Sequence, residues 1–118
     1  MENKEIYKEM AKVNDALVRC IQTGNKEWEV KWNDRLNELL DELPHGSGID
    51  GKWEIEGLND TITLYNTFDA MDENGMYDQV INFKVKVRGS LMFGIDLKIT
   101  GNFGKYQDIK EYLYEVLS

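Results

Sequence analysis

The fold is decided by residues 81 to 99, Ile81-Asn82-Phe83-Lys84-Val85-Lys86-Val87-Arg88-Gly89-Ser90-Leu91-Met92-Phe93-Gly94-Ile95-Asp96-Leu97-Lys98-Ile99. Ile81, Phe83, Val85 and Val87 alternate with Asn82, Lys84 and Lys86. Leu91, Phe93, Ile95, Leu97 and Ile99 alternate with Met92, Gly94, Asp96 and Lys98. Successive strand side chains point to opposite faces, so each run predicts a strand with one apolar and one wet face. Gly89-Ser90 between them reads as a two-residue hairpin turn of the Gly-first kind.

Upstream, Ile62 and Leu64 alternate with threonines in a strand continuing to Phe68, and Trp53 with Ile55 makes a short first strand. Downstream, Gly101 to Gly104 breaks the pattern. Tyr106, Ile109, Leu113, Val116 and Leu117 then recur at helical spacing. At the start of the chain, Ile6, Met10, Val13, Leu17, Cys20 and Ile21 mark one helix face. Trp28, Trp32, Leu36, Leu39, Leu40 and Leu43 mark a second, ending at Pro44. Gly24 suits a helix end and Asn25 a helix start, so the two helices form an antiparallel hairpin. Trp28 and Trp32, at i and i+4, are expected to seal it against the sheet. The sequence thus predicts an α+β fold in one domain, residues 1–118. A helical hairpin (1–43) precedes a four-stranded, mainly antiparallel sheet with a C-terminal helix on one face (44–118).

Composition bounds the function. A chain of 118 residues with 42% hydrophobic and 11% aromatic residues builds a single core. No apolar run reaches the ~18 residues of a membrane span, and the first residues lack a signal-peptide layout. One cysteine, Cys20, excludes an internal disulfide, which points to a reducing cytoplasm.

The formal charge of −8 is unevenly spread: −3 over residues 1–49, −7 over 50–78 and +2 over 79–118. The acidic stretch holds Asp50, Glu54, Glu56, Asp60, Asp69, Asp72, Glu73 and Asp78 against Lys52 alone. Such a surface repels phosphate backbones, so direct nucleic-acid binding is not expected there. It attracts a protein partner with a basic surface, and these eight carboxylates are the candidate partner-binding residues. The competing reading is a solvated surface that keeps a small protein soluble.

Catalytic and metal motifs fail on their ligands. If Gly75 is the sixth residue of a calcium loop, the first is Ala70 and the twelfth Ile81, so two necessary oxygens are missing. A polar turn explains that stretch. The glycines of His45-Gly46-Ser47-Gly48-Ile49-Asp50 follow a helix and lead into a strand, unlike a phosphate loop, so a helix stop and tight turn is expected. His45, the single histidine, suits the orphan carbonyls of a helix end. Cys20 lies on an apolar stripe, so no metal site is expected, and no nucleophilic triad or cofactor motif is present. Glu54 and Glu56 share one strand face, where solvation is the commoner explanation than acid–base work.

From Leu43 onward the chain resembles a group of small uncharacterised proteins of bacteriophages and related mobile elements. The resemblance is carried by Leu43-Pro44-His45-Gly46-Ser47-Gly48-Ile49-Asp50, by Phe68 to Tyr77 with Met71, Gly75 and Tyr77, by Phe93 to Gly101, and by Asp108-Ile109-Lys110-Glu111-Tyr112-Leu113. In that group a His often precedes the Met and a Trp often follows the Tyr. Here Asp69 or Ala70 and Val80 stand near those places, so a site built on them would be missing. The resemblance implies phage or prophage origin and the cytoplasm of a bacterial host, without an activity. Three expectations follow. The first is a non-enzymatic accessory protein that binds a basic partner, such as an inhibitor occupying the groove of a host defence nuclease, in the manner of an anti-CRISPR nucleic-acid mimic. The second is a small-ligand binder or hydrolase with Gly46–Asp50 and Asp69–Asp78 as lips of one pocket. The third is a structural subunit that self-associates as a homodimer through Trp28 and Trp32 of the hairpin.

Overall fold

The computed structural model describes residues 2–58, 61–90 and 94–118. Helices α1 (Asn3–Thr23) and α2 (Lys26–Asp41) precede strands β1 (Glu54–Leu58), β2 (Thr61–Met71), β3 (Tyr77–Ser90) and β4 (Gly94–Gly101), and helix α3 (Gln107–Leu117) closes the chain. The strands form one sheet in the order β1-β2-β3-β4, with every neighbouring pair antiparallel. The α+β architecture is therefore the one that the alternating and helical periods predict.

The α1–α2 turn forms as its residues require. Gly24 takes the left-handed conformation at φ 72°, and the Asn25 side chain accepts from the Trp28 amide at 3.3 Å. Both α1 and α3 cover one sheet face. Ile62, Leu64, Phe68, Ile81, Phe83, Val85, Val87 and Ile99 are buried beneath them, together with Ile6, Met10, Val13, Leu39 and Leu113. The ends of the chain are tied directly. The Tyr7 hydroxyl donates to the Leu117 carbonyl at 2.6 Å, and Asn3 Nδ2 donates to the Val116 carbonyl at 2.8 Å. At β1 the contact is closest: a Cβ on Gly57 would lie 2.0 Å from Asn14 Oδ1 of α1.

Four local expectations are corrected. Gly89 and Ser90 are not the turn but the end of β3, pairing with Ile95 and Gly94. The residues between β3 and β4, 91–93, lie outside the described residues, and with them the predicted strand positions Leu91 and Phe93. A turn at Gly89-Ser90 would have set Lys84 opposite Ile95, putting the apolar row of β4 on the wet face. The observed register instead sets Val85 against Ile99 and Val87 against Leu97. Trp53 precedes β1 rather than joining it and is buried, with Nε1 donating to the Pro44 carbonyl at 3.0 Å. Ile21 is 58% exposed, at the turn end of the hairpin. Trp28 is 48% exposed there, so it does not seal the helices against the sheet. It stacks on Trp32 at 6.2 Å between ring centroids, under Lys31 Nζ at 4.6 Å.

Candidate functional site

The stretch Leu43 to Asp50 folds as a plug on the side of β2. Leu43 and Ile49 are buried anchors. His45 Nδ1 lies 2.8 Å from the Leu43 carbonyl, and because a carbonyl only accepts, the ring proton sits on Nδ1. Gly46 and Ile49 exchange backbone hydrogen bonds of 2.8 and 3.1 Å around Ser47 (φ 54°) and Gly48 (φ 106°). Two positive φ values in a two-residue loop define a type I′ turn, which explains a glycine at the second place. Gly48 also lies flat on Phe68: a Cβ there would approach the ring to 2.3 Å. The Asp69 amide donates to the Gly48 carbonyl at 2.9 Å, and Ile49 bridges to Phe68. The plug thus continues the sheet beside β2 past the end of β1.

This placement brings two predicted carboxylates together. The Asp50 carboxyl beside Asp69 raises the Asp69 pKa above its ordinary value, first through hydrogen bonding to the protonated form, with partial desolvation and the Asp50 charge adding to the rise.

The tip of the β2–β3 hairpin is built by Asp72. Its Oδ1 accepts from the amides of Asn74 and Met76, both at 2.9 Å, while its carbonyl accepts from Gly75. These bonds make a polar turn, as the failed calcium ligand count predicts. One residue further, Ala70 pairs with Gln79 but Met71 pairs with Tyr77, so Asp78 is the extra residue of a β-bulge. Asp78 meets the start of α3, where it accepts from the Tyr106 hydroxyl and lies 3.3 Å from Lys105 Nζ. The Tyr106 bond first, and the Lys105 bond and charge after it, hold the Asp78 carboxyl below its ordinary range.

Plug, hairpin tip and the start of α3 surround an open groove of about 1070 Å³. Phe68 and Ile109, each over nine-tenths buried, form its floor. Asp69, Asp72, Glu73 and Asp108 stand on its rim, Ser47 and Gly48 on one lip, and Met71 and Tyr106 on its walls. Lys105, the one cation of the lining among the described residues, is engaged by Asp78. Beyond the rim the hairpin exposes Met76, Tyr77 and Val80, which with Met71 of the wall make four of the seven exposed large apolar residues among those described.

The acidic set is therefore divided. Asp69, Asp72 and Glu73 line the groove, and Asp50 acts on it through Asp69. Asp78 adjoins it with its charge compensated. Glu54 and Glu56 project from β1 on the sheet face opposite the helices, in the same cross-strand rows as Lys84 and Lys86. Asp60 lies outside the described residues. By strand parity Asp69 shares the open face with Glu54 and Glu56 but lies at least four residues along β2 from their rows, and Asp72 and Glu73 lie beyond the end of β2, so charge density along the chain does not become one patch. His45 and Gly46 border a separate recess of about 380 Å³ with Asp50. The sequence reading missed Lys105, Tyr106, Asp108 and Ile109. Their one local signal is an acid in the first turn of a helix, which has an ordinary dipole explanation.

Among the described residues no group of three or more His, Cys, Asp or Glu is arranged to hold a metal ion, and Cys20 is a buried free thiol. No helix among them is long and apolar enough to cross a membrane. Comparison with protein-family models, with curated proteins and with solved structures found no match.

Proposed function

We propose that this protein is a non-catalytic binding module of the phage accessory kind, whose groove receives a basic, partly apolar segment of a protein partner. The observation that carries this reading is the groove's make-up: an apolar floor of Phe68 and Ile109 beneath a rim of Asp69, Asp72, Glu73 and Asp108. Apolar anchors desolvated at the centre supply affinity, while the charged rim supplies steering and choice of partner. The exposed Met76 and Tyr77 extend the contact surface beyond the groove. A nuclease cleft that normally accepts nucleic acid has the matching charge, so inhibition of a host defence enzyme in the bacterial cytoplasm is the cellular role that fits.

The small-ligand reading has one observation in its favour, since both of its loops line the same groove. Its openness argues for an extended segment instead: at about 1070 Å³ the volume matches the upper end of small-molecule sites, but the groove is open to solvent where such sites enclose most of their ligand.

Selecting peptides from a random library on the immobilised protein tests the proposal. Enrichment of sequences combining Arg or Lys with an aliphatic or aromatic residue is expected. Their retention should weaken with salt and be lost in Asp69→Lys/Glu73→Lys. Enrichment of neutral or acidic peptides, or retention indifferent to those substitutions, would refute it.

A further inference from the structure

The sheet face turned away from the helices carries a second charge pattern that the groove does not use. Its cross-strand rows read Glu54–Tyr65–Lys84–Thr100 and Glu56–Thr63–Lys86–Lys98. Acids therefore stand on β1, hydroxyl-bearing residues on β2, and cations on β3 and on Lys98 of β4. All five of these charged side chains are exposed, and among the described residues none is held in an ion pair. Lys86 even faces Lys98 directly, an arrangement that is destabilising in the isolated sheet.

We propose that this face pairs with its own copy in a two-fold dimer whose axis passes over Thr63, about 15° from the direction of β2. Rotation about that axis exchanges the positions of β1 and β3 and, close to Thr63, keeps each residue near its own row. Glu54 then meets Lys84 of the second copy and Glu56 meets Lys86, with both pairs repeated by symmetry. Lys98 of the second copy reaches Glu56 from outside, and the Thr63 and Tyr65 column packs on itself. Sheet twist sets the two faces about 30° apart, as in aligned sheet packing. The Asp69 positions lie six residues from the crossing at Thr63, about 20 Å along the strand, where twisted sheets have splayed apart.

A nucleic-acid strand is the weaker occupant, because Glu54 and Glu56 stand in the lysine rows only two strands away, roughly 10 Å. Three overlapping strands and six residues along each give roughly 300 Å² of projected face per copy, below the ~800 Å² per partner of a standard specific interface. The dimer is accordingly of low affinity and sensitive to salt. Both acidic grooves would point the same way, presenting a bivalent surface.

Sedimentation equilibrium of the full chain over a concentration series tests this. The expected result is a mass rising towards the dimer at low ionic strength and returning to the monomer at high. Glu54→Lys/Glu56→Lys and Lys84→Glu/Lys86→Glu should each weaken self-association roughly a hundredfold or more, and an equimolar mixture of the two should restore it as a heterodimer. In wild-type protein, concentration-dependent amide shifts should be confined to the open face, which keeps the test valid should a variant misfold. The proposal is overturned by a wild-type monomer throughout, or by folded variants whose mixture does not associate. A dimer lost in Trp28→Ala but kept in both charge reversals overturns it too, as does a monomer that binds oligothymidylate through Lys84 and Lys86.

Discussion

Replacing Gly48 by Ala should unseat the plug that forms one lip of the groove. Two costs add at this position. At φ 106° an L-residue is strained, which costs about 1–2 kcal/mol. The new methyl would also lie 2.3, 2.5 and 2.9 Å from three atoms of the Phe68 ring, well inside the 3.4 Å of ordinary contact. Overpacking of that kind costs about 1–3 kcal/mol, because Phe68 is itself packed against Tyr112 at 6.0 Å between centroids. The total is about 2–5 kcal/mol. Unfolding entropy for a chain of this length converts that to a fall in Tm of roughly 8–20 °C. Gly46→Ala is the control. Its φ is also positive, at 82°, but nothing lies within 4 Å of the added Cβ, so about 1 kcal/mol and roughly 4 °C are expected. Thermal unfolding followed by circular dichroism reads both. In a Phe68→Leu background the Gly48→Ala cost should shrink by about 1–2 kcal/mol, the coupling expected of residues in direct contact. Equal losses for the two glycine variants, or no coupling to Phe68, would refute the account of the plug.

Three further outcomes follow from the same structure. Tyr7→Phe removes the buried bond to the Leu117 carbonyl and should cost about 1–2 kcal/mol in chemical denaturation. Burial also raises the Tyr7 phenol pKa above its ordinary 10.0. Its contribution is therefore complete below pH 10 and lost as pH rises, and Tyr7→Phe should show the shallower alkaline loss. Gly57→Ala drives a methyl to 2.0 Å from Asn14 Oδ1 and should destabilise by about 1–3 kcal/mol in the same assay, less in an Asn14→Ala background. Asp78 has a lowered pKa, so its stabilising contribution is present above its ordinary 3.8 and lost as pH falls through the native value. Asp78→Asn should flatten the acid limb of a Tm-against-pH curve.

Much of the fold is legible because its signals are local. The alternation at Ile81–Val87 and the helical spacing at Ile6–Cys20 each follow from a single repeat, and Gly24-Asn25 states a helix stop and restart. Turn placement was less legible. Gly89-Ser90 has the right composition, yet the parity of the β3–β4 register overrules it, since burial of a whole apolar row outweighs one turn preference. Exposure of Trp28 was not legible either. A stripe says which side of a helix seeks cover, whereas the extent of the covering surface depends on how the hairpin crosses the sheet.

The groove divides the same way. Asp69, Asp72 and Glu73 stood out as carboxylates in a chain with an uneven charge, and the two loops that carry them were visible as glycine-rich and polar breaks. Tyr106 and Ile109 read as positions of a helix stripe, and nothing near them, Lys105 or Asp108 in sequence marks the four as a wall of the groove.

By itself the sequence determined which segments are strands and helices, which side of each is apolar, and how much charge each stretch bears, because these depend on neighbours a few residues apart. Only the tertiary structure decided that Gly48 lies on Phe68, that a bulge turns Asp78 to Lys105 and Tyr106, and that Glu54 and Glu56 stand in the lysine rows of the open face, away from the acids of the hairpin tip. Those placements are set by strand register and by contacts between residues far apart in the chain, and a linear pattern carries no distance between them.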